Sequence, residues 1–156
     1  MPATGAAEQT ARAIIDTSLY LVLATADGTG QPWSSPVYFA HDGYQEFFWV
    51  SAPEAAHSHN IAVRPQVGIV IFDSHAPIGT GQGVYMRAVA EQVSGGDLTQ
   101  GIETFSRRSL AHGGTGWAAR DVQAGSGLRL YRAIADSYSI LAKDGRPDHR
   151  IPAHPA

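Results

Sequence analysis

Ser51, His57 and Ser58 are the side chains whose types and spacing best suit chemistry here, and that chemistry is the holding of an anion. The apolar run Phe47-Phe48-Trp49-Val50 ends in the Ser51 hydroxyl, and after a short break Ala56, His57, Asn60 and Ile61 form a helical pattern that stops at Arg64-Pro65. Proline biases the residue before it away from helix, so this helix ends near Val63. The free N–H groups of a helix's first turn point outward, and the helix dipole favours negative charge there. A strand that delivers a hydroxyl beside that turn, with His57 and Ser58 as further donors, is therefore a candidate site for the phosphate of a bound cofactor.

Other constellations carry less. Gly79-Thr80-Gly81-Gln82-Gly83 looks like a phosphate loop, but a dinucleotide fingerprint needs a helix after it and VYMRAVAEQV reads as strand. His57 and His59 stand two apart, which on a helix turns their side chains about 200 degrees from each other, so no metal site is expected. No Gly-x-Ser-x-Gly elbow occurs, and Ser34-Ser35 lie inside a strand without an evident base. Trp33, Trp49 and Trp117 are read first as core packing and second as platforms for a ring system. No side chain stands out as an essential acid or base.

The composition fits one domain of 156 residues, with 44% hydrophobic and 16% charged residues and no cysteine. Thiolate nucleophiles, disulfides and thiolate zinc sites are thereby excluded. The net charge is −3 and the 11 basic residues form no run, which disfavours nucleic acid and anionic membranes as partners. The first residues lack the pattern of a secretory signal, and no apolar run reaches the roughly 18 residues of a membrane span, so a cytoplasmic protein is expected. Sparse surface charge leaves room for a large contact with a second copy.

The elements that must position the candidate residues follow from periodicity. Ala7, Ala11, Ile14 and Ile15 predict a helix over about 5–17. Strands are predicted over 19–26, about 33–41, 45–51, 67–73 and 84–93, with turns at Asp27-Gly28 and Asp42-Gly43. A helix over about 98–112 ends at glycines 113, 114 and 116, and two strands, 128–135 and 138–142, are separated by a bend at Asp136-Ser137. The reading is a single domain over 1–156, with its core about 11–142 and a tail from 143 to 156. Short loops between successive strands favour antiparallel pairing and a closed barrel.

This order of elements resembles the pyridoxamine 5′-phosphate oxidase-like family of flavin-binding split β-barrels. The similarity is densest in GQPWSSPVYFAHDGYQEFFWVS (30–51), HSHNIAVRPQVGIVIFD (57–73) and GQGVYMRAVAEQV (81–93), while the glycine-rich loop and the C-terminal YRA…DGRPDHRIPA are similar to a small actinobacterial-type branch. The resemblance implies a mainly β fold, a six-stranded antiparallel split β-barrel with peripheral helices, working as a homodimer with FMN at the interface. It places Ser51 on the flavin phosphate and His57 where relatives carry Lys or Arg. It sets Ser35, Pro36, Val37 and Tyr38 along the isoalloxazine ring, and matches Asn60 and Ile61 to a partly structural pair. Gln82 corresponds to a glutamine supplied by the other subunit, and Trp49, Val50 and Ser58 complete the expected cofactor contacts.

Two departures shape the functional expectation. The arginine and lysine that hold phosphate in true pyridoxamine phosphate oxidases fall at Ser35 and Ala40, and the C-terminal Trp and Arg substrate motif is missing. The resemblance therefore implies a flavin-dependent oxidoreductase exchanging hydride at the flavin N5 with an unknown small substrate, not the vitamin B6 reaction. Two alternatives stand beside it. One is a reductase using the deazaflavin coenzyme F-420, whose acidic tail would need a groove from Arg64, Arg87, Arg107 and Arg108. The other is a flavin- or heme-binding protein without turnover.

Overall fold

The computed structural model describes residues 2–155, with the side chains of 2–4 left aside. Its elements run α1 (Pro2–Thr17), β1 (Tyr20–Ala26), β2 (Pro32–Tyr38), β3 (Ala40–Asp42), β4 (Glu46–Ser51), α2 (Ala56–Val63), β5 (Gln66–Phe72), β6 (Gly83–Gln92), α3 (Asp97–Ala111), β7 (Arg129–Leu141) and β8 (Arg150–Pro152). The strands pair antiparallel in the order β2-β1-β5-β6-β7-β4-β3, with β8 added to β7. The chain is thus mainly antiparallel β with three helices, and no helix among the described residues is long and apolar enough to cross a membrane.

Eight strand segments stand where six were expected, for two reasons. The predicted strand 33–41 breaks at Phe39, which is wholly buried and donates its N–H to Leu19 O. Its first half pairs with β1 and its second half with β4, so one stretch of chain carries both ends of the sheet and closes the barrel. The predicted tail supplies the extra strand, because Arg150–Pro152 pairs back onto Ser139–Leu141.

The predicted bend at Asp136-Ser137 is instead a bulge inside a continuous β7. Arg87 pairs with Ser137 and Ala88 with Ala135, which leaves Asp136 as the extra residue. The Asp42-Gly43 hairpin forms as expected. Gly43 and Tyr44 both take positive φ (59° and 58°), the pair a type I′ turn requires. Tyr44 is held in this uncommon conformation by its phenol on Asp16 Oδ2 (2.6 Å) and by Tyr138, whose hydroxyl donates to Tyr44 O (2.6 Å).

Alternation along β4 splits the core in two. Phe47 and Trp49 point into the barrel with Leu21, Leu23, Ile69, Ile71 and Met86. Phe48 and Leu130 point outward and pack under α3 with Leu98, Ile102 and Phe105. At Gly101 an added Cβ would lie 3.0 Å from Leu130 and 3.1 Å from Phe48, so glycine lets α3 settle this close to the sheet. Between α3 and the strands below it lies the hollow described next.

Candidate functional site

The hollow is of about 450 Å³. Pro36, Val37 and Tyr38 of β2 form one wall, and Val50 and Ser51 at the end of β4 form the floor. His57 of α2 closes one end, while Phe105 and Ser109 of α3 with Trp117 and Leu128 of the following loop form the far side. Six of the expected cofactor contacts therefore converge: Pro36, Val37, Tyr38, Val50, Ser51 and His57. They do so because β2 and β4 flank the same barrel mouth and α2 starts five residues after Ser51.

His57 is the centre of the polar end. Its Nε2 lies 2.8 Å from Ser51 Oγ and its Nδ1 lies 3.1 Å from Ser35 Oγ. Burial lowers the His57 pKa below the ordinary histidine value. The ring is therefore neutral at pH 7, and a neutral imidazole has one N–H and one lone pair. One serine hydroxyl donates to the ring and the other accepts from it. Ser35 thus stands behind His57 rather than in the hollow's lining. At the other end Tyr38 Oη is 2.8 Å from Nδ1 of the exposed His112, and burial raises the Tyr38 pKa against the opposing pull of Arg108.

Four expected contacts are placed elsewhere. Trp49 is wholly buried inside the barrel, its ring stacked on Tyr131 at 6.0 Å, because strand alternation turns it away from the face that Val50 presents. Ser58 donates to Ala52 O (2.8 Å) and Asn60 donates to Thr25 Oγ1 (3.0 Å), so both fasten α2 to the barrel. Gln82 bridges β6 and β7, donating to Leu141 O (3.0 Å) and accepting from Leu141 N (2.8 Å), and it lines a separate hollow beside Phe72 and Tyr85.

The arginines expected to form an acidic-tail groove do not line the hollow. Arg108 is half-buried and donates to the carbonyl oxygens of Phe39 and Ser18, and Arg64 donates to Asp27 O and Gly28 O. Arg87 and Arg107 are exposed outside the lining. Among the described residues no Lys, Arg, Asp or Glu lines this hollow.

Sequence reasoning did not single out Phe105, Ser109, Thr115 and Leu128, and it gave Trp117 a ring-stacking role only as a second reading. A faint signal existed in α3, where Phe105 lies on the predicted apolar face. The loop gave none, since its return over the barrel mouth depends on specific side-chain contacts back to α3. Among them are Trp117 N donating to Ser106 Oγ and Ser109 Oγ donating to Thr115 O.

The chain is thus an antiparallel split barrel, closed by one bent strand and opening a largely apolar slot with hydroxyls and imidazoles at its ends. The sequence profile of the pyridoxamine 5′-phosphate oxidase family matches residues 7–135, and the chain belongs to that family. No curated protein matches it in sequence. Among solved structures it is similar to the heme storage protein HutZ from Vibrio cholerae, at 19% identity and a TM-score of 0.68, over 96% of this chain and 98% of that one. It is also similar to a heme binding protein from Mycobacterium smegmatis, at 22% identity and a TM-score of 0.72, over 94% of this chain and 57% of that one. A third similar structure is an F-420 reductase, at 18% identity and a TM-score of 0.60, over 82% of this chain and 94% of that one. These likenesses establish the shared fold.

Proposed function

We propose that the chain is a flavoprotein binding FMN non-covalently in the hollow under α3, and that it serves as a flavin-dependent oxidoreductase. The observation that carries this reading is the polar end of the slot. There Ser51 Oγ and His57 meet beside the start of α2, whose N-cap residue Ala55 makes no side-chain cap, leaving first-turn N–H groups to receive an anion. The donor set suits a phosphate, and the apolar walls of Val37, Val50, Phe105 and Trp117 suit a planar ring.

Bound FMN would supply hydride exchange at its N5; the chain's own part is to bind, orient and shield it. Ser51 would donate to the phosphate, His57 would become its protonated partner, and the β2 backbone from Ser35 to Tyr38 would run along the ring. The proposal includes a homodimer acting in the cytoplasm, with Gln82 reaching the site of the other copy. The low charged fraction of 16% and the exposed aromatics Tyr20 and Trp33 on β1 and β2 support self-association.

A second reading, a tetrapyrrole-binding protein without turnover, is favoured by the heme-protein names of two structural neighbours. Against it, both nitrogens of His57 are engaged by serine hydroxyls, and iron ligation would have to displace one. The deazaflavin alternative is weakened because none of its four candidate arginines lines the slot. The absorbance spectrum of freshly purified protein, with mass spectrometry of the ligand released on denaturation, tests all three. FMN is the expected ligand. Heme or a deazaflavin in its place, or no binding of added FMN, overturns the proposal.

A further inference from the structure

Trp117 is a wall between two hollows. On its other side lies a second hollow of about 310 Å³, which shares Thr115, Trp117 and Leu128 with the first. Arg120, Asp121 and Ser126 line it as well. The loop that builds it is tied down from within: Ser126 Oγ donates to Asp121 O (2.6 Å), and Ala118 N donates to Asp121 Oδ2 (2.8 Å). Arg129 donates from Nη1 to Ser126 O (2.6 Å) and Leu128 O (2.7 Å), which fastens the end of the loop to β7.

Arg120 differs from most arginines of the chain. Arg12, Arg64, Arg108, Arg129, Arg132 and Arg146 all donate to carbonyl or carboxylate oxygens. Arg120 is exposed and has no hydrogen bond or ion pair to another described residue, although Asp121 follows it directly. A guanidinium presents a planar fork that matches a carboxylate in two parallel hydrogen bonds. The Asp121 carboxylate, lining the same hollow, penalises a dianion more than a monoanion. Trp117 and Leu128 supply apolar surface beside the cation.

We propose that this second hollow binds a small monoanionic carboxylate with a planar apolar body, its carboxylate on Arg120 and its body against Trp117 and Leu128. Calling that molecule the substrate rests on the cofactor reading of the adjoining slot, since the two hollows meet at Trp117. The anion site itself stands on the geometry of Arg120.

The test uses the full chain, with and without FMN, labelled so that the indole N–H signals of Trp33, Trp49 and Trp117 are followed during titration. Benzoate is the probe, benzamide its neutral counterpart and phenyl phosphate the dianion. Benzoate is expected to shift the Trp117 signal, with benzamide and phenyl phosphate each binding at least about tenfold more weakly, the loss expected for one charge-assisted contact. Arg120→Gln should weaken benzoate by a similar factor, Arg120→Lys should fall between, and FMN binding should not change in either. Equal response to benzoate and benzamide, tighter binding of phenyl phosphate, a shift at Trp33 instead of Trp117, or no effect of Arg120→Gln would each overturn the proposal. A benzoate response that persists in a protein unable to bind FMN supports the anion site and overturns the cofactor reading alone.

Discussion

His57 and Ser51 face each other across 2.8 Å at the mouth of the barrel, one from the first turn of α2 and the other from the last residue of β4. The contact joins the two elements on which the candidate anion site depends, and it does so through a group that burial keeps neutral. A lysine or arginine at this position would carry its charge throughout the neutral range. At His57 a positive charge would have to arrive as a proton.

The first prediction follows from that proton. A phosphate dianion beside His57 favours the imidazolium, so the pKa is higher in the complex than in the apo protein, where burial lowers it below about 6.5. By linkage, the added affinity for FMN is fully present below the apo pKa and is lost as pH rises through the pKa of the complex. His57→Lys should bind FMN with little pH dependence, and His57→Ala weakly and equally without it. FMN titrations at several pH values check this. A wild-type affinity flat with pH and unmoved by either substitution would show that His57 does not meet the phosphate.

The same lowered pKa sets a stability prediction of opposite sense. The unfolded chain binds a proton at His57 more readily than the apo fold does, so stability rises with pH through the ordinary histidine range and falls as pH drops through it. Thermal unfolding of apo wild type should weaken more steeply on acidification than that of His57→Gln, which cannot charge. Equal slopes would contradict a neutral, buried His57.

Ser51→Ala should cost about 1.5–3 kcal/mol of FMN binding, or about 10- to 150-fold, if its hydroxyl donates to the phosphate. Riboflavin, which has no phosphate, is the control and should bind both proteins alike. Equal loss for the two ligands would assign the effect to His57, left without its Nε2 partner, rather than to a phosphate contact.

Most of the fold was legible because the strands and helices carry their own period. Ala7, Ala11 and Ile15 recur at helical spacing and lie buried against the barrel, and the Asp42-Gly43 turn has the conformation its sequence demands. The break at Phe39 was not legible, since it depends on β2 and β3 pairing with strands at opposite ends of the sheet. In the candidate site, local order along the chain was enough to bring Ser51 and His57 together, and they meet in the hollow. Trp49, whose first reading was core packing, and Asn60 lie away from the hollow, because a pattern gives spacing along the chain and not which wall of the barrel a side chain faces. Trp117 was legible only as a second reading and Arg120 not at all, for the loop that brings them in is fixed by its own turns and by contacts with α3 and β7.

Arg108, one of the four arginines considered for an acidic-tail groove, is engaged in packing. Its half-buried guanidinium donates to Ser18 O (2.8 Å) and Phe39 O and lies over the Phe39 ring at 4.4 Å, joining the end of α1, the bend that closes the barrel, and α3. Arg108→Met should lose charged hydrogen bonds worth about 1.5–3 kcal/mol in urea unfolding, with FMN affinity little changed in the fraction that folds. Unaltered stability would mean that water satisfies those carbonyls as well as the arginine does.

The last prediction concerns self-association. β2 ends the sheet path, and its residues from Pro32 to Ser34 are exposed, with Trp33 at 53%; at the other end of the β1–β2 ladder Tyr20 is 58% exposed. An open edge with exposed aromatics invites another chain to cover it unless charge protects it. Pro32 and Pro36 block ladder hydrogen bonds along that edge, so side-chain packing, not strand addition, is the contact expected with a second copy. Sedimentation of the wild type should give a dimer at micromolar concentration. Trp33→Glu should shift it toward monomer without loss of secondary structure, because the side chain it replaces is outside both cores. A wild-type monomer with cofactor still bound would overturn the dimer, and a dimer indifferent to Trp33→Glu would place the contact between copies on another face.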